Sequence, residues 1–223
     1  MVPRELLDTA QVPGGQPLRL FRRGADHMIV LDRNELMNSR MSGSEEALAT
    51  MALDRLGDVK APHLLIGGYG MGFTLRAALG RTGPQARITV AELVPQIITW
   101  ARGPMAAMTG DCLDDRRTEI VLDDVAQLIA EGRATYDAIL LDVDNGPDGL
   151  VRDANDRLYT FGGLRAAKAA LKPGGVLAVW SAGDDPAFTR RLKESGFEVD
   201  QVAVKARQNG KGPRHVIWFA AKP

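Results

Sequence analysis

The chain carries a single cysteine, Cys112, in 223 residues. One thiol excludes an internal disulfide and a cysteine-based metal site. The three histidines, His27, His63 and His215, lie far apart with no metal-ligand spacing, so no metal is expected. Charge of one sign is missing too: 28 Lys+Arg balance 28 Asp+Glu. A neutral chain has no global field to draw in nucleic acid or an anionic membrane. Long apolar runs are absent; a stretch such as Val216–Ala221 falls far short of a membrane span. The opening MVPRELLDTA lacks the basic-then-apolar layout of a signal peptide. These absences point to a soluble, cytoplasmic protein without nucleic-acid or membrane partners. What is present suits a folded core: 45% of residues are hydrophobic, and 24 glycines imply many tight turns. The length fits one medium domain, alone or with a small appendage.

Residues 18–40 alternate apolar and polar in short runs around Leu18–Phe21, His27–Leu31 and Glu35–Met37. They read as a small antiparallel β-meander, here assigned to residues 1–41. Ser42-Gly43-Ser44 then opens a helix with Leu48, Met51, Ala52 and Leu56 on its apolar stripe. Glu45 and Glu46 in its first turn suit the helix dipole, and Gly57 ends it. From residue 61 strands and helices alternate. The strands are His63–Ile66, Ile88–Leu93, Glu119–Leu122, Ala138–Val143 and Val176–Trp180. Asp124 is placed to cap one helix, Pro95 and Asp185-Pro186 open others, and Lys172-Pro173-Gly174-Gly175 stops another. Throughout-apolar strands alternating with helices predict a doubly wound, Rossmann-like α/β domain over 42–223. Its mostly parallel sheet has seven strands. Phe197–Ala206 and Arg214–Ala221 read as a long closing hairpin, so the last strand runs antiparallel.

The strongest motif follows the first parallel strand. Gly68, Gly70 and Gly72 form G-x-G-x-G, with Tyr69 and Met71 between them. Such a turn lets backbone approach a ligand without Cβ clashes. About twenty residues on, Glu92 ends the second strand, where an acid accepts hydrogen bonds from both ribose hydroxyls. The pair predicts a nucleoside or nucleotide site. Phe73 breaks the dinucleotide pattern, and no Gly-Lys-Ser/Thr exists for a Walker loop. The G-x-G-x-G form with a following acid resembles class I S-adenosylmethionine (AdoMet) transferases. In that class the acid after the third strand binds the adenine amino group; here Asp123-Asp124 stand there. The fourth strand runs into Asp142-Val143-Asp144-Asn145-Gly146-Pro147-Asp148. Ligands of open α/β sheets bind beyond the carboxyl ends of the strands. Asp142 is therefore the candidate to take a proton from an acceptor or hold a cationic amine.

Over roughly residues 28–181 the chain resembles the spermidine synthase (polyamine aminopropyltransferase) family. Gly68–Phe73 with Thr74-Leu75-Arg76 resembles the family's glycine loop, and Ala91-Glu92 its Val-Glu. Asp123-Asp124 falls on its Gly-Asp, Asp142–Gly146 on its Asp-Ser-Ser-Asp-Pro catalytic loop, and Leu158-Tyr159 on its Leu-Phe. The resemblance implies AdoMet or decarboxylated AdoMet as donor, and Gly68, Tyr69, Gly70, Met71, Gly72, Glu92, Asp123 and Asp124 as donor-binding residues. It implies Asp142 as the catalytic carboxylate, with Asp144, Asn145, Asp148 and Tyr159 on the acceptor side. It also makes a homodimer an expectation, the meander being the one candidate interface in the sequence.

The departures set the choice of reaction. Met71 replaces the aspartate that holds the amine of decarboxylated AdoMet, Asn145 replaces a diamine-binding aspartate, and Ser44-Glu45-Glu46 lies near a family Tyr-His-Glu. Loss of the aspartate at Met71 favours intact AdoMet, hence methyl transfer to a small, amine-bearing acceptor. The alternatives are aminopropyl transfer from decarboxylated AdoMet, or a non-catalytic nucleoside-binding relative. Trp180, after the fifth strand, is expected in the core, with a place on the acceptor pocket as the alternative. The zero net charge conceals a segregation: Asp137–Asp156 holds six Asp and one Arg, while Val202–Pro223 holds five Lys/Arg and no acid. An acidic loop at the acceptor side suits a cationic substrate.

Overall fold

The computed structural model describes residues 2–143 and 156–223. A four-stranded antiparallel meander comes first: β1 (Glu5–Ala10), β2 (Leu18–Arg23), β3 (Asp26–Leu31) and β4 (Asn34–Asn38). Alternation in the sequence locates the last three strands. It misses β1, an edge strand whose residues are mostly exposed and whose pairing shifts register between Leu6 and Asp8. The Trp100 indole N–H donates to the Asp8 carboxylate at 2.7 Å and ties this edge to the main unit.

The second sheet comprises β5 (His63–Gly67), β6 (Arg87–Ala91), β7 (Thr118–Val121), β8 (Tyr136–Leu141), β9 (Leu171–Ser181), β10 (Glu198–Lys205) and β11 (Arg214–Ala221). Its order is β10-β11-β9-β8-β5-β6-β7. Strand β11 is antiparallel to both neighbours, and the remaining pairings are parallel. This is the doubly wound seven-stranded sheet read from the sequence.

Eight helices connect these strands among the described residues: α1 (Gly43–Leu56), α2 (Phe73–Arg81), α3 (Pro95–Arg102), α4 (Ala106–Thr109), α5 (Val125–Glu131), α6 (Asp156–Tyr159), α7 (Phe161–Ala170) and α8 (Pro186–Glu194). Asp124 caps α5 by accepting from Ala126 N–H, and Asp185 caps α8 through Ala187 and Phe188. Ser42 makes no side-chain cap on α1.

Period-two alternation divides the core between the two sheet faces. Leu64, Ile66, Ile88, Val90, Ala138 and Leu140 pack with α1, α2, α3 and the meander. Leu65, Ile139, Leu141, Leu177 and Val179 pack with α5, α7 and α8. The chain runs outward from β5 through β6 to β7, then returns to β8 on the other side of β5. The ends of β5 and β8 therefore diverge at a topological switch point, where open sheets leave a crevice. No described helix is long and apolar enough to cross a membrane.

Candidate active site

The glycine loop shapes one wall of that crevice. Gly68, Gly70 and Gly72 have φ values of +85°, +54° and +73°, a region other residues rarely adopt. At Gly68 proximity adds to conformation. The end of β8 runs so close that a Cβ would lie 2.6 Å from the Asp142 carbonyl oxygen. Gly68→Ala is expected to lose about 1–3 kcal/mol of stability from strain and crowding. Donor affinity should fall with it. Thermal unfolding and donor calorimetry check this, and an alanine variant with normal binding would count against a tight loop.

Glu92, at the end of β6, is 7% exposed. Its Oε2 accepts from Tyr69 N–H and its Oε1 from Val94 N–H, both at 2.8 Å. Burial raises its pKa, opposed by the amides of Val94, Tyr69, Gly70 and Leu93. These amides fix the carboxylate at the end of β6, beside the glycine loop. Past β7, Asp123 Oδ1 accepts from Asp124 N–H at 2.7 Å. Asp124 uses Oδ1 to cap α5 at 2.9 Å and Oδ2 to pair with Arg157 at 2.6 Å.

Asp142 follows β8. Its N–H extends the ladder to Gly67 O at 3.1 Å, and its Oδ2 accepts from the Thr74 hydroxyl at 2.8 Å. Burial pushes its carboxyl up to about 6. Facing it is an acid absent from the predicted site. Glu45 is 6% exposed, and burial and the Asp142 charge push its carboxyl up to about 8. Ser44 Oγ donates to Glu45 Oε2 at 2.6 Å and lies 2.8 Å from His215 Nδ1. The His215 ring stands edge-on to Trp180, with centroids 4.7 Å apart.

Most of these groups border one cleft. Of the predicted residues, Gly68, Gly70, Glu92, Asp123, Asp124 and Asp142 line it. Glu45 and Trp180 also line it; Glu45 was expected only as an acid suited to the first turn of α1, and Trp180 packs in the core as expected while one side borders the cleft. The meander contributes Val12, Leu18, Ile29, Leu36 and Met37, giving the cleft an apolar wall. Glu45 was legible in principle. It stands three, four and seven residues before the buried Leu48, Ala49 and Ala52, so a carboxylate shares the apolar stripe of α1.

Several predicted residues lie elsewhere. The Tyr69 hydroxyl turns into the core, 3.5 Å from Cys112 Sγ, and the Met71 side chain is fully buried in the same core. Gly72 serves as the left-handed N-cap of α2. The Tyr159 ring packs edge-on against Phe188 in the core on the opposite sheet face. Asp137, counted with the acidic loop, is the second residue of β8 and pairs with Lys172 at 2.7 Å. Asp144, Asn145, Asp148 and Asp153 fall outside the described residues. The basic hairpin between β10 and β11 docks on the α1 N-terminus, with Gln208 donating to Glu46 at 2.6 Å, and does not line the cleft. Among the described residues no group of three or more His, Cys, Asp or Glu is arranged to hold a metal ion.

The strand order and the switch-point cleft define a Rossmann-like fold of the class I methyltransferase type. A family model described as the spermine/spermidine synthase domain matches residues 42–200, well over half of the chain. The chain belongs to the spermine/spermidine synthase family. Among curated proteins, it is similar to the polyamine aminopropyltransferase of Sulfolobus acidocaldarius, 29% identical over 127 residues, covering 57% of this chain and 40% of that protein. The polyamine aminopropyltransferase of Corynebacterium efficiens is 29% identical over 171 residues, covering 75% of this chain and 31% of that one. This chain thus spans well under half the length of these relatives. Among solved structures, the spermidine synthase of Thermotoga maritima gives a TM-score of 0.75 at 21% identity, covering 98% of this chain and 73% of that chain. A spermidine synthase in complex with the transition state analogue AdoDATO gives the same values, TM-score 0.75 at 21% identity. These two likenesses carry the fold.

The expectation of methyl transfer is corrected by these findings. The matching family is that of spermine/spermidine synthase, and the curated relatives are aminopropyltransferases. The physical premise also fails. Met71 lies in the core and lines no part of the cleft, so its apolar side chain answers to packing rather than to the charge of a donor.

Proposed function

We propose that this chain is an aminopropyltransferase of the spermidine synthase type, using decarboxylated AdoMet as donor and a small cationic amine as acceptor. The observation that carries the reading is the convergence of Gly68, Gly70, Glu92 and Asp142 on one cleft at the ends of β5, β6 and β8. In this reading Glu92 accepts the ribose hydroxyls, the glycine loop lets backbone approach the donor, and Asp123-Asp124 faces the adenine. The meander, taken as a unit of residues 1–41 ahead of 42–223, closes the cleft with Leu36 and Met37. Asp142 accepts a proton from the acceptor ammonium and so frees the nitrogen lone pair. The remaining task is to hold nitrogen, carbon and sulfur in line.

The buried carboxyls of Asp142 and Glu45 support this donor choice. Intact AdoMet would bring a third carboxylate toward them, whereas decarboxylated AdoMet ends in an ammonium. Decarboxylated AdoMet is expected to bind at least about tenfold more tightly by calorimetry, a difference of about 1.4 kcal/mol. With 1,4-diaminobutane present it should yield 5′-methylthioadenosine. Tighter binding of intact AdoMet, or no thioether product from either donor, would overturn the proposal.

A further inference from the structure

We propose that Glu45, Ser44 and His215 form a proton path from the acceptor end of the cleft to the half-buried start of β11. Its chemistry rests on the aminopropyl-transfer reading, while the path itself stands on geometry. Glu45 lines the cleft beside Asp142. From its Oε2 the line continues 2.6 Å to Ser44 Oγ and 2.8 Å to His215 Nδ1. Ser44 is fully buried within the first turn of α1, yet its hydroxyl bonds side chains rather than the backbone of its own helix. It points sideways and bridges an acid on its own helix to an imidazole 171 residues later in the chain. A hydroxyl that donates one hydrogen and accepts another can pass a proton by exchanging the two.

The charged surroundings are few. Glu45 faces Asp142 beyond β8 and Glu46 on its own helix. From α2 comes the uncharged Thr74, whose hydroxyl lies 3.2 Å from the Glu45 carbonyl oxygen. His215 faces Trp180 from β9 and pairs with Val204 on β10. Burial alone lowers its pKa, so it passes a proton on rather than storing it.

The transfer releases one proton. The acceptor ammonium gives a proton to the carboxylate of Asp142. The freed nitrogen lone pair then forms a bond to the carbon attached to the sulfonium. The carbon–sulfur bond breaks with its electron pair going to sulfur, leaving a neutral thioether and a new secondary ammonium. Glu45, protonated beside Asp142, gives its own proton to Ser44 Oγ as Ser44 gives its hydrogen to His215 Nδ1. Imidazole Nε2 releases the proton to water, and Glu45 is left to receive the proton held by Asp142.

Nitrogen NMR of the His215 imidazole in the ligand-free protein tests the path. Ionised Glu45 makes Ser44 donate toward it and places the hydrogen of His215 on Nδ1. Neutral Glu45 lets Ser44 donate to Nδ1 and places the hydrogen on Nε2. The expected result is a tautomer change with a midpoint near pH 8 that vanishes in Glu45→Gln. Its absence in the wild type overturns the path whatever the turnover. Kinetics follow with His215→Ala, and with His215→Gln should the alanine variant fold poorly. A drop in kcat of at least about tenfold is expected, with donor KM unchanged. Added imidazole should restore the rate in His215→Ala but not in Ser44→Ala, which a merely structural histidine would not explain. Wild-type turnover with both His215 variants at full rate overturns the path as part of the reaction. A tautomer change without any thioether product leaves the path standing and rejects aminopropyl transfer.

Discussion

Replacing Asp142 by Asn is expected to slow transfer by about 10²–10⁴-fold, the range that a positioned general base contributes. Donor affinity should stay within about threefold, because Glu92 and the glycine loop are untouched. The substitution is close to isosteric. Asn keeps an oxygen to accept the Thr74 hydroxyl, now 2.8 Å from Asp142 Oδ2, and leaves the backbone bond to Gly67 intact. What it loses is the capacity to take a proton. Burial holds the Asp142 carboxyl at about 6, close to neutral pH, where a base can both be ionised and accept a proton. Single-turnover rates with saturating donor separate this step from binding and release. The wild-type rate should rise with pH through about 6, and the Asn variant should lack that limb. A variant with the wild-type rate would remove Asp142 from the chemistry.

What the sequence reveals depends on whether a residue's role is local. The glycine loop, the acid ending β6 and the cap at Asp124 follow from backbone conformation and strand–helix order, which a few neighbouring residues determine. The seven-stranded sheet is legible for the same reason: its strands are apolar throughout and their helices carry clear stops. Strand β1 is not legible, because an exposed edge strand such as ELLDTA shows no alternation. The cleft's apolar wall is not legible either. Val12, Ile29 and Met37 reach the site only through the packing of one sheet on another. Met71 misleads for the converse reason. Its place in a glycine motif suggests contact with a ligand, yet alternate residues of that turn face the core. Glu45 carries a signal, an acid on an apolar stripe, but its partner His215 is remote in sequence and joins it only through the fold.

That partnership has a consequence for stability. Glu45→Gln is expected to stabilise the protein at pH 8 and above by on the order of 3 kcal/mol, or about 10 °C in Tm. Burial and the Asp142 charge raise the Glu45 carboxyl from 4.5 to about 8, and burial raises Asp142 from 3.8 to about 6. Between those limits the native state binds more protons than the unfolded chain, so stability falls as pH rises. For Asp142 the loss runs from about pH 4 to 6; for Glu45 it continues from about 4.5 to 8. Stability contributed by the two neutral carboxyls is complete below about pH 4 and gone above about pH 8. The glutamine side chain would keep the Ser44 hydrogen bond and remain neutral, which removes the upper part of the slope. The lower part, set by the burial of Asp142, should persist. Thermal unfolding at a series of pH values measures both slopes. An unaltered slope between about pH 6 and 8 in Glu45→Gln would mean that Glu45 ionises without penalty in the native state. The expected gain has a functional counterpart: the variant should be more stable and slower, because a buried acid next to Asp142 weakens the fold at the pH where the proposed proton path operates.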